Sequence, residues 1–273
     1  MLNYITNEDT IIFSPYYNKP TDFNLLSQYN KIIFSDYELN EELFEKYGNF
    51  YIEVVSIDSR FNHEVELPKN ITHLTFGNNF NQEVELPENL THLTFGNDFN
   101  QKVELPENLT HLTFVRDSHF NQEVELPKNL TNLTFGNNFN QKVELPENLT
   151  HLTFGNNFNQ KVVLPENLTH LTFGNNFNQK VELPENLSHL TFGYYFNQKV
   201  DLPFTMRYLE LDNDKAHNLD YLPEGIEELV LGVDFNDDTL CNLPNSLKII
   251  KLYKGYNGNL KCLPKNTKIE YYE

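Results

Sequence analysis

The chain has 273 residues, with 39 acidic against 20 basic side chains and a net charge of −19. That balance excludes a nucleic-acid binder, which needs a basic surface to displace counterions, and a binder of anionic membrane surfaces. No run of residues is long and apolar enough to span a bilayer, and the N-terminus lacks the basic start and apolar stretch of a secretory signal.

The first 60 residues hold two similar stretches, Ile11-Ile-Phe-Ser-Pro-Tyr16 and Ile32-Ile-Phe-Ser-Asp-Tyr37, and a third apolar pattern at Ile52, Val55 and Ile57. They read as three diverged coils forming a cap, with a short helix at Asn40–Tyr47. Residues 61–203 carry a 19-residue repeat. Residues 136–154 read GNNFNQKVELPENLTHLTF; the next copy changes only Glu144 to Val163, and the one after it only Thr150 to Ser188. A fixed short period means a solenoid whose units are stable only when stacked.

Nineteen residues leave no room for a long helix, a strand and two connections, so each unit is extended backbone and turns. In Leu90-Thr-His-Leu-Thr-Phe95, Leu93 and Phe95 alternate with His92 and Thr94, the period of a half-buried strand. Gly96 and Asn97 break the strand, Phe99 returns to the core, and Val103 and Leu105 are the remaining apolar positions. Pro106, without an N–H, suits an irregular return segment. Stacking then produces two phenylalanine columns, one through Phe95 and one through Phe99. An asparagine column through Asn100 is expected to satisfy backbone groups of adjacent coils. The diverged residues 204–273 keep the strand pattern, as in Ile226-x-x-Leu229-x-Leu231. The expected fold is a mostly β repeat solenoid with one parallel sheet of about 14 strands, few or no helices, in a single domain spanning 1–273.

The pattern LPxxLxxLxFGxxFN resembles the FNIP repeat, a leucine-rich-repeat-like unit, over residues 61–203. The third letter of the family's name departs here, because Gln-Lys or Gln-Glu follows Phe-Asn. The resemblance implies a repeat scaffold with no catalytic residues, of a type found in amoebae and the giant viruses that infect them. Some relatives carry an F-box, and Leu39-Asn-Glu-Glu-Leu-Phe44 resembles its start, although three helices are not apparent there. A cytoplasmic location is expected, in the host cytoplasm for a viral protein. Cys241 and Cys262 are accordingly expected to be reduced. The in-phase Asn-Leu-Thr triplets are then repeat positions and not glycosylation sites.

The residues expected to face outward from the sheet are His73, Thr75, His92, Thr94, His111, Thr113, Thr134, His151, Thr153, His170, Thr172, His189 and Thr191, with Asn132 interrupting the histidines. In a leucine-rich-repeat curvature this would be the concave, protein-binding side. A shared metal ion lacks a third kind of ligand, and a catalytic base lacks a nucleophile at a matched position. No cofactor is expected. The glutamate column (Glu66, Glu85, Glu104) forms a line, not a converging calcium site. The sequence therefore points to a non-enzymatic, monomeric scaffold for an unknown protein partner, a host protein if viral. The alternative is a ubiquitin-ligase arm that recruits substrates and engages its adaptor through residues 1–60.

Overall fold

In a computed structural model of the chain, the residues described are 3–35, 59–213, 222–234, 240 and 242–273. They fall in two compact units, Met1–Phe139 and Asn140–Glu273. The first holds β1 (Tyr4–Thr6), β2 (Thr10–Phe13), α1 (Phe23–Leu26), β3 (Lys31–Phe34), β4 (His73–Thr75), β5 (His92–Phe95), β6 (His111–Phe114) and β7 (Asn132–Thr134). The second holds β8 (His151–Thr153), β9 (His170–Phe173), β10 (His189–Phe192), β11 (Tyr208–Asn213), β12 (Glu228–Asp234), β13 (Ile249–Tyr253) and β14 (Lys268–Tyr272).

Within each unit the strands lie side by side in chain order, as expected of a repeat solenoid. Neighbours from β2 to β7, and from β8 to β14, are parallel and pair repeat position with repeat position, as in His92↔His111 and Phe95↔Phe114. The first strand is the exception. β1 pairs antiparallel with β2, closing a hairpin in which Ile5 packs on Ile12. This hairpin is absent from the sequence reading. β3 pairs directly with β4. The patterns at Ile52–Ile57 and Leu39–Phe44 and the helix at Asn40–Tyr47 lie outside the described residues. The helix that is described, α1, is a single turn capped by the Asp22 carboxylate, which accepts from the Asn24 N–H.

The core is built from the two phenylalanine columns. Phe95 stacks on Phe99 of its own coil at 3.7 Å between ring centroids, and on Phe76 and Phe114 of adjacent coils at 5.6 and 5.5 Å. Phe99 lies 6.1 Å from both Phe80 and Phe120. The second unit repeats this with Phe173 and Phe177 at 3.6 Å. Rings related by a pure coil-to-coil shift share an orientation, so the pairs stack nearly parallel where aromatic pairs elsewhere often meet edge-on. The leucine three residues after each Leu-Pro proline (Leu90, Leu109, Leu130) and that proline complete the core. Val103 and Leu105, expected inside, are only half-buried. That proline opens a turn: its carbonyl accepts from the residue three positions on, as from Leu109 N–H to Pro106 O at 3.0 Å.

Polar ladders fix the distance between coils. The Asn81 side-chain oxygen accepts from the Asn100 N–H at 3.0 Å, and that of Asn100 from Asn121 N–H at 2.9 Å. The second unit continues in the same way from Asn140 to Asn159 to Asn178 to Asn197. The asparagine column therefore has the structural role read from the sequence. Its glutamine neighbour was missed: Gln101 and Gln122 each donate Nε2 to the preceding coil's asparagine. The triplet asparagines also do more than expected, since Asn89, Asn108 and Asn167 donate Nδ2 to the carbonyls of Lys69, Glu88 and Glu147. Glycine after the strand is a steric requirement. A Cβ on Gly96 would sit 2.4 Å from the Gly77 carbonyl oxygen of the preceding coil.

Cys262 is disulfide-bonded, and Cys241 is the chain's one other cysteine. This corrects the expectation of a reduced pair.

Candidate functional site: the outward face of the sheet

Strand alternation sends Leu93 and Phe95 inward and His92 and Thr94 outward. In the first unit His73 stacks on His92 and His92 on His111, each at 4.1 Å between ring centroids with planes 9° and 11° from parallel. His151, His170 and His189 form a second stack at 4.2 and 4.1 Å. Asn132 ends the first run, in register with His111. Thr75, Thr94, Thr113 and Thr134 align beside the first stack, and Thr153, Thr172 and Thr191 beside the second.

The residue before each histidine sets its protonation. The Thr91 hydroxyl lies 3.0 Å from the Thr72 carbonyl oxygen and 2.9 Å from His92 Nδ1. A carbonyl can only accept and a hydroxyl has one proton to give, so Thr91 donates to Thr72 and accepts from Nδ1–H. The same arrangement holds for Thr110 with His111, Thr169 with His170 and Ser188 with His189. Each neutral ring thus carries its proton on Nδ1 and leaves Nε2 as an acceptor. Burial, then the positive charge that His73 and His111 would carry, push His92 down to about 4. His73, His170 and His189 are lowered as well, in each case first by burial. At neutral pH these rings are uncharged.

This arrangement suits neither a metal nor a nucleophile. An imidazole binds a metal in its own plane, and parallel stacked rings direct their nitrogens side by side instead of toward one point. Among the described residues, no group of three or more His, Cys, Asp and Glu is placed to hold a metal ion. In the second unit, His170, Thr172, His189, Thr191 and Tyr208 line a shallow open groove of about 210 Å³. That is smaller than the enclosed pockets of roughly 300–1,000 Å³ in which small ligands are held.

The face changes character beyond β10, and the sequence reading overlooked this. Tyr208, Glu210 and Asp212 take the outward positions of β11, Glu228 and Val230 those of β12, and Lys251 that of β13. The Tyr208 hydroxyl donates to Glu210 Oε2 at 2.8 Å, and Thr191 donates to the same oxygen at 3.1 Å. Burial and the Glu210 charge raise Asp212, and burial followed by the Glu210 hydrogen bond raises Tyr208. Lys251 reaches Glu228 at 2.7 Å. The signal was present: the outward positions of Tyr208-Leu-Glu-Leu-Asp212 break with His-x-Thr while its inward leucines keep the repeat.

Comparison with known proteins places these features. No curated protein sequence matches the chain. Among solved structures it is similar to CroV588, described as a novel circular LRR protein structure, at 28% identity over 99% of this chain and 60% of that one, with a TM-score of 0.46. It is similar to YopM from Yersinia enterocolitica WA-314 at 18% identity over 93% of this chain and 66% of that one, with a TM-score of 0.52, a likeness of fold. The chain spans less than two thirds of the length of either. The FNIP Repeat family matches at residues 61–98, 83–117, 99–137, 120–144, 139–176, 158–182 and 177–214, together more than half of the sequence. With the repeat, the parallel in-register strands and the asparagine and phenylalanine columns all in place, the chain belongs to the FNIP repeat family.

Proposed function

We propose that the chain is a non-enzymatic scaffold that binds a protein partner through the outward face of its parallel sheet. The observation that carries this reading is how the repeat's polar groups are used. The asparagine, glutamine and first threonine columns bond to neighbouring coils, whereas Thr94, His92 and their equivalents face solvent on a regular strand surface. Solenoids of this kind use extended sheet surfaces for partners. Ring spacing is shorter along the histidine stack, 4.1 Å, than along the outer phenylalanine column, 6.1 Å. That difference supports coils that converge toward the outward side within each unit. The uniform His and Thr columns supply a neutral platform. Tyr208, Glu210, Asp212, Glu228 and Lys251 supply the non-repeating chemistry that can tell one partner from another.

The test is affinity capture from a cell lysate with two variants beside the wild type. One carries His170→Ser, His189→Ser, Tyr208→Ala and Glu210→Gln on the face; the other carries Glu104→Gln, Glu144→Gln and Glu182→Gln on the return segments. Partners should be lost from the first and retained by the second. Retention by the face variant, with a native-like circular dichroism spectrum, would move the site elsewhere.

A further inference from the structure

The groove over β9, β10 and β11 differs from an ordinary polar surface in what it can bond. His170 and His189 each spend their Nδ1–H on the residue before them, Thr169 and Ser188, so their Nε2 atoms can only accept. Beside them, Thr191 and Tyr208 both spend their hydroxyl protons on Glu210 Oε2, at 3.1 and 2.8 Å. What these side chains still offer is ring nitrogens, hydroxyl lone pairs and Glu210 Oε1, all of them acceptors. Among the groove's polar side chains, Thr172 alone keeps a hydroxyl proton to offer outward. A half-buried surface made of acceptors discriminates in favour of a ligand rich in donors, because any other ligand leaves those acceptors unpaired.

Charge points the same way. Glu210, Asp212 and Glu228 take outward positions on β11 and β12, and Lys251 is the one cation at the outward positions of β11 to β13. Lys251 is engaged with Glu228 at 2.7 Å. Among the described residues, neither Glu210 nor Asp212 has a cation within ion-pair distance. Burial, and then the Glu210 charge, hold Asp212 above its ordinary value, and a cation beside both carboxylates would remove the second cause.

A guanidinium meets these demands better than an ammonium. It is planar, so it can lie against the Tyr208 ring, which ends the stack 5.8 Å beyond His189 and is followed in register by Glu228 instead of another ring. It carries five donors in a fixed fork, enough for several acceptors at once, and it is less strongly hydrated than an ammonium, so leaving water costs it less. The groove is shallow and open, so the guanidinium must be delivered by a chain lying across the face and not by a small molecule enclosed in it.

We propose that the groove takes an arginine from an extended segment of the protein partner, its guanidinium set against Tyr208, paired with Glu210 and Asp212, and donating to His189 Nε2. This rests on the reading of the outward face as the partner site and names the partner chemistry that fits it. The repeated columns then support the segment, and the residues of β11 select it.

The test is fluorescence anisotropy of the full chain with short labelled peptides of glycine and serine that carry Arg-Ser-Arg, Lys-Ser-Lys or citrulline-Ser-citrulline at the centre. At an ionic strength of about 0.15 M, charges beyond about 8 Å are screened and the overall charge of the chain contributes little. The arginine peptide should bind saturably with a Kd below roughly 0.1 mM, about tenfold more tightly than the citrulline peptide and several-fold more tightly than the lysine peptide. Glu210→Gln and, separately, Asp212→Asn should each weaken it about tenfold, with a native-like circular dichroism spectrum. Glu104→Gln combined with Glu144→Gln, on the return segments, removes more charge but should leave binding within about twofold. Equal binding of the arginine and lysine peptides, or equal weakening by the return-segment variant, would reduce the interaction to unspecific attraction and overturn the proposal. Absence of saturable binding would overturn it too. The capture experiment then separates the two readings: partners lost from its face variant leave the face as a site of different chemistry, and partners retained remove the face as well.

Discussion

His73 and His92 stack at 4.1 Å, and each is bonded at Nδ1 to the threonine before it. Protonating both places two like charges in van der Waals contact. The folded-state pKa of His92 is about 4, against about 6.5 for the unfolded chain. A group with a depressed cationic pKa binds fewer protons folded than unfolded, so stability is full above about pH 6.5 and falls as pH drops toward 4. His73, His170 and His189 shift in the same direction; Lys31 adds to the lowering at His73 while Asp9 opposes it, and Glu228 opposes it at His189. For His92 the window therefore runs from about pH 6.5 down to about 4. His92→Ser should remove part of the slope, about 1–2 kcal/mol given solvent screening of half-buried rings. Urea unfolding at pH 7 and pH 4.5 measures it; equal slopes for both proteins would contradict the stack.

Asn100 accepts from both Asn121 N–H and Gln122 Nε2 of the next coil. Asn100→Ala removes the side-chain acceptor of the partly buried Asn121 N–H, while Gln122 Nε2 keeps the Asn100 backbone carbonyl at 3.1 Å, and should cost about 1–3 kcal/mol in chemical denaturation. Asn100→Asp keeps the acceptor and should cost less. A harmless alanine would show that water replaces the ladder.

At Gly96 the neighbouring backbone leaves no space for a methyl group. Gly96→Ala must push two coils apart and should destabilise by about 1–3 kcal/mol, as overpacking does. In the copy with a two-residue insertion, Val115 occupies the glycine's place after the strand, in a longer turn where Ser118 is buried and its N–H bonds back to the Val115 carbonyl. The penalty should therefore be specific to the short turn. Thermal melts of Gly96→Ala and Val115→Ala compare the two; similar losses would contradict the steric account.

Much of this was legible because a repeat states each position several times. Leu93 and Phe95 could be placed by alternation, Phe99 by its return to the core after the Gly96 turn, and Asn100 by the need to satisfy a turn stacked on another turn. Val103 was misplaced because its alternation with Lys102 and Glu104 looks like that of a strand, but the return segment forms no ladder to bury it. The β1 hairpin was missed because three residues with one inward isoleucine carry almost no pattern. The non-repeating patch was missed because regularity drew attention to the histidines, while Tyr208, Glu210 and Asp212 stand out only against the columns they interrupt.

The central claim is that one coil is the unit of this fold and presents the same interfaces on both sides. Deleting residues 155–173 brings Phe154 onto Gly174, with the same neighbours in every column. The measurement is cooperative urea unfolding of that deletion beside the full chain, followed by circular dichroism. A folded protein with a cooperative transition and a slightly smaller dependence on urea, in proportion to the surface removed, is the expected result. An unfolded or aggregated product would mean that near-identical coils are not interchangeable and that the columns described here do not hold the structure together.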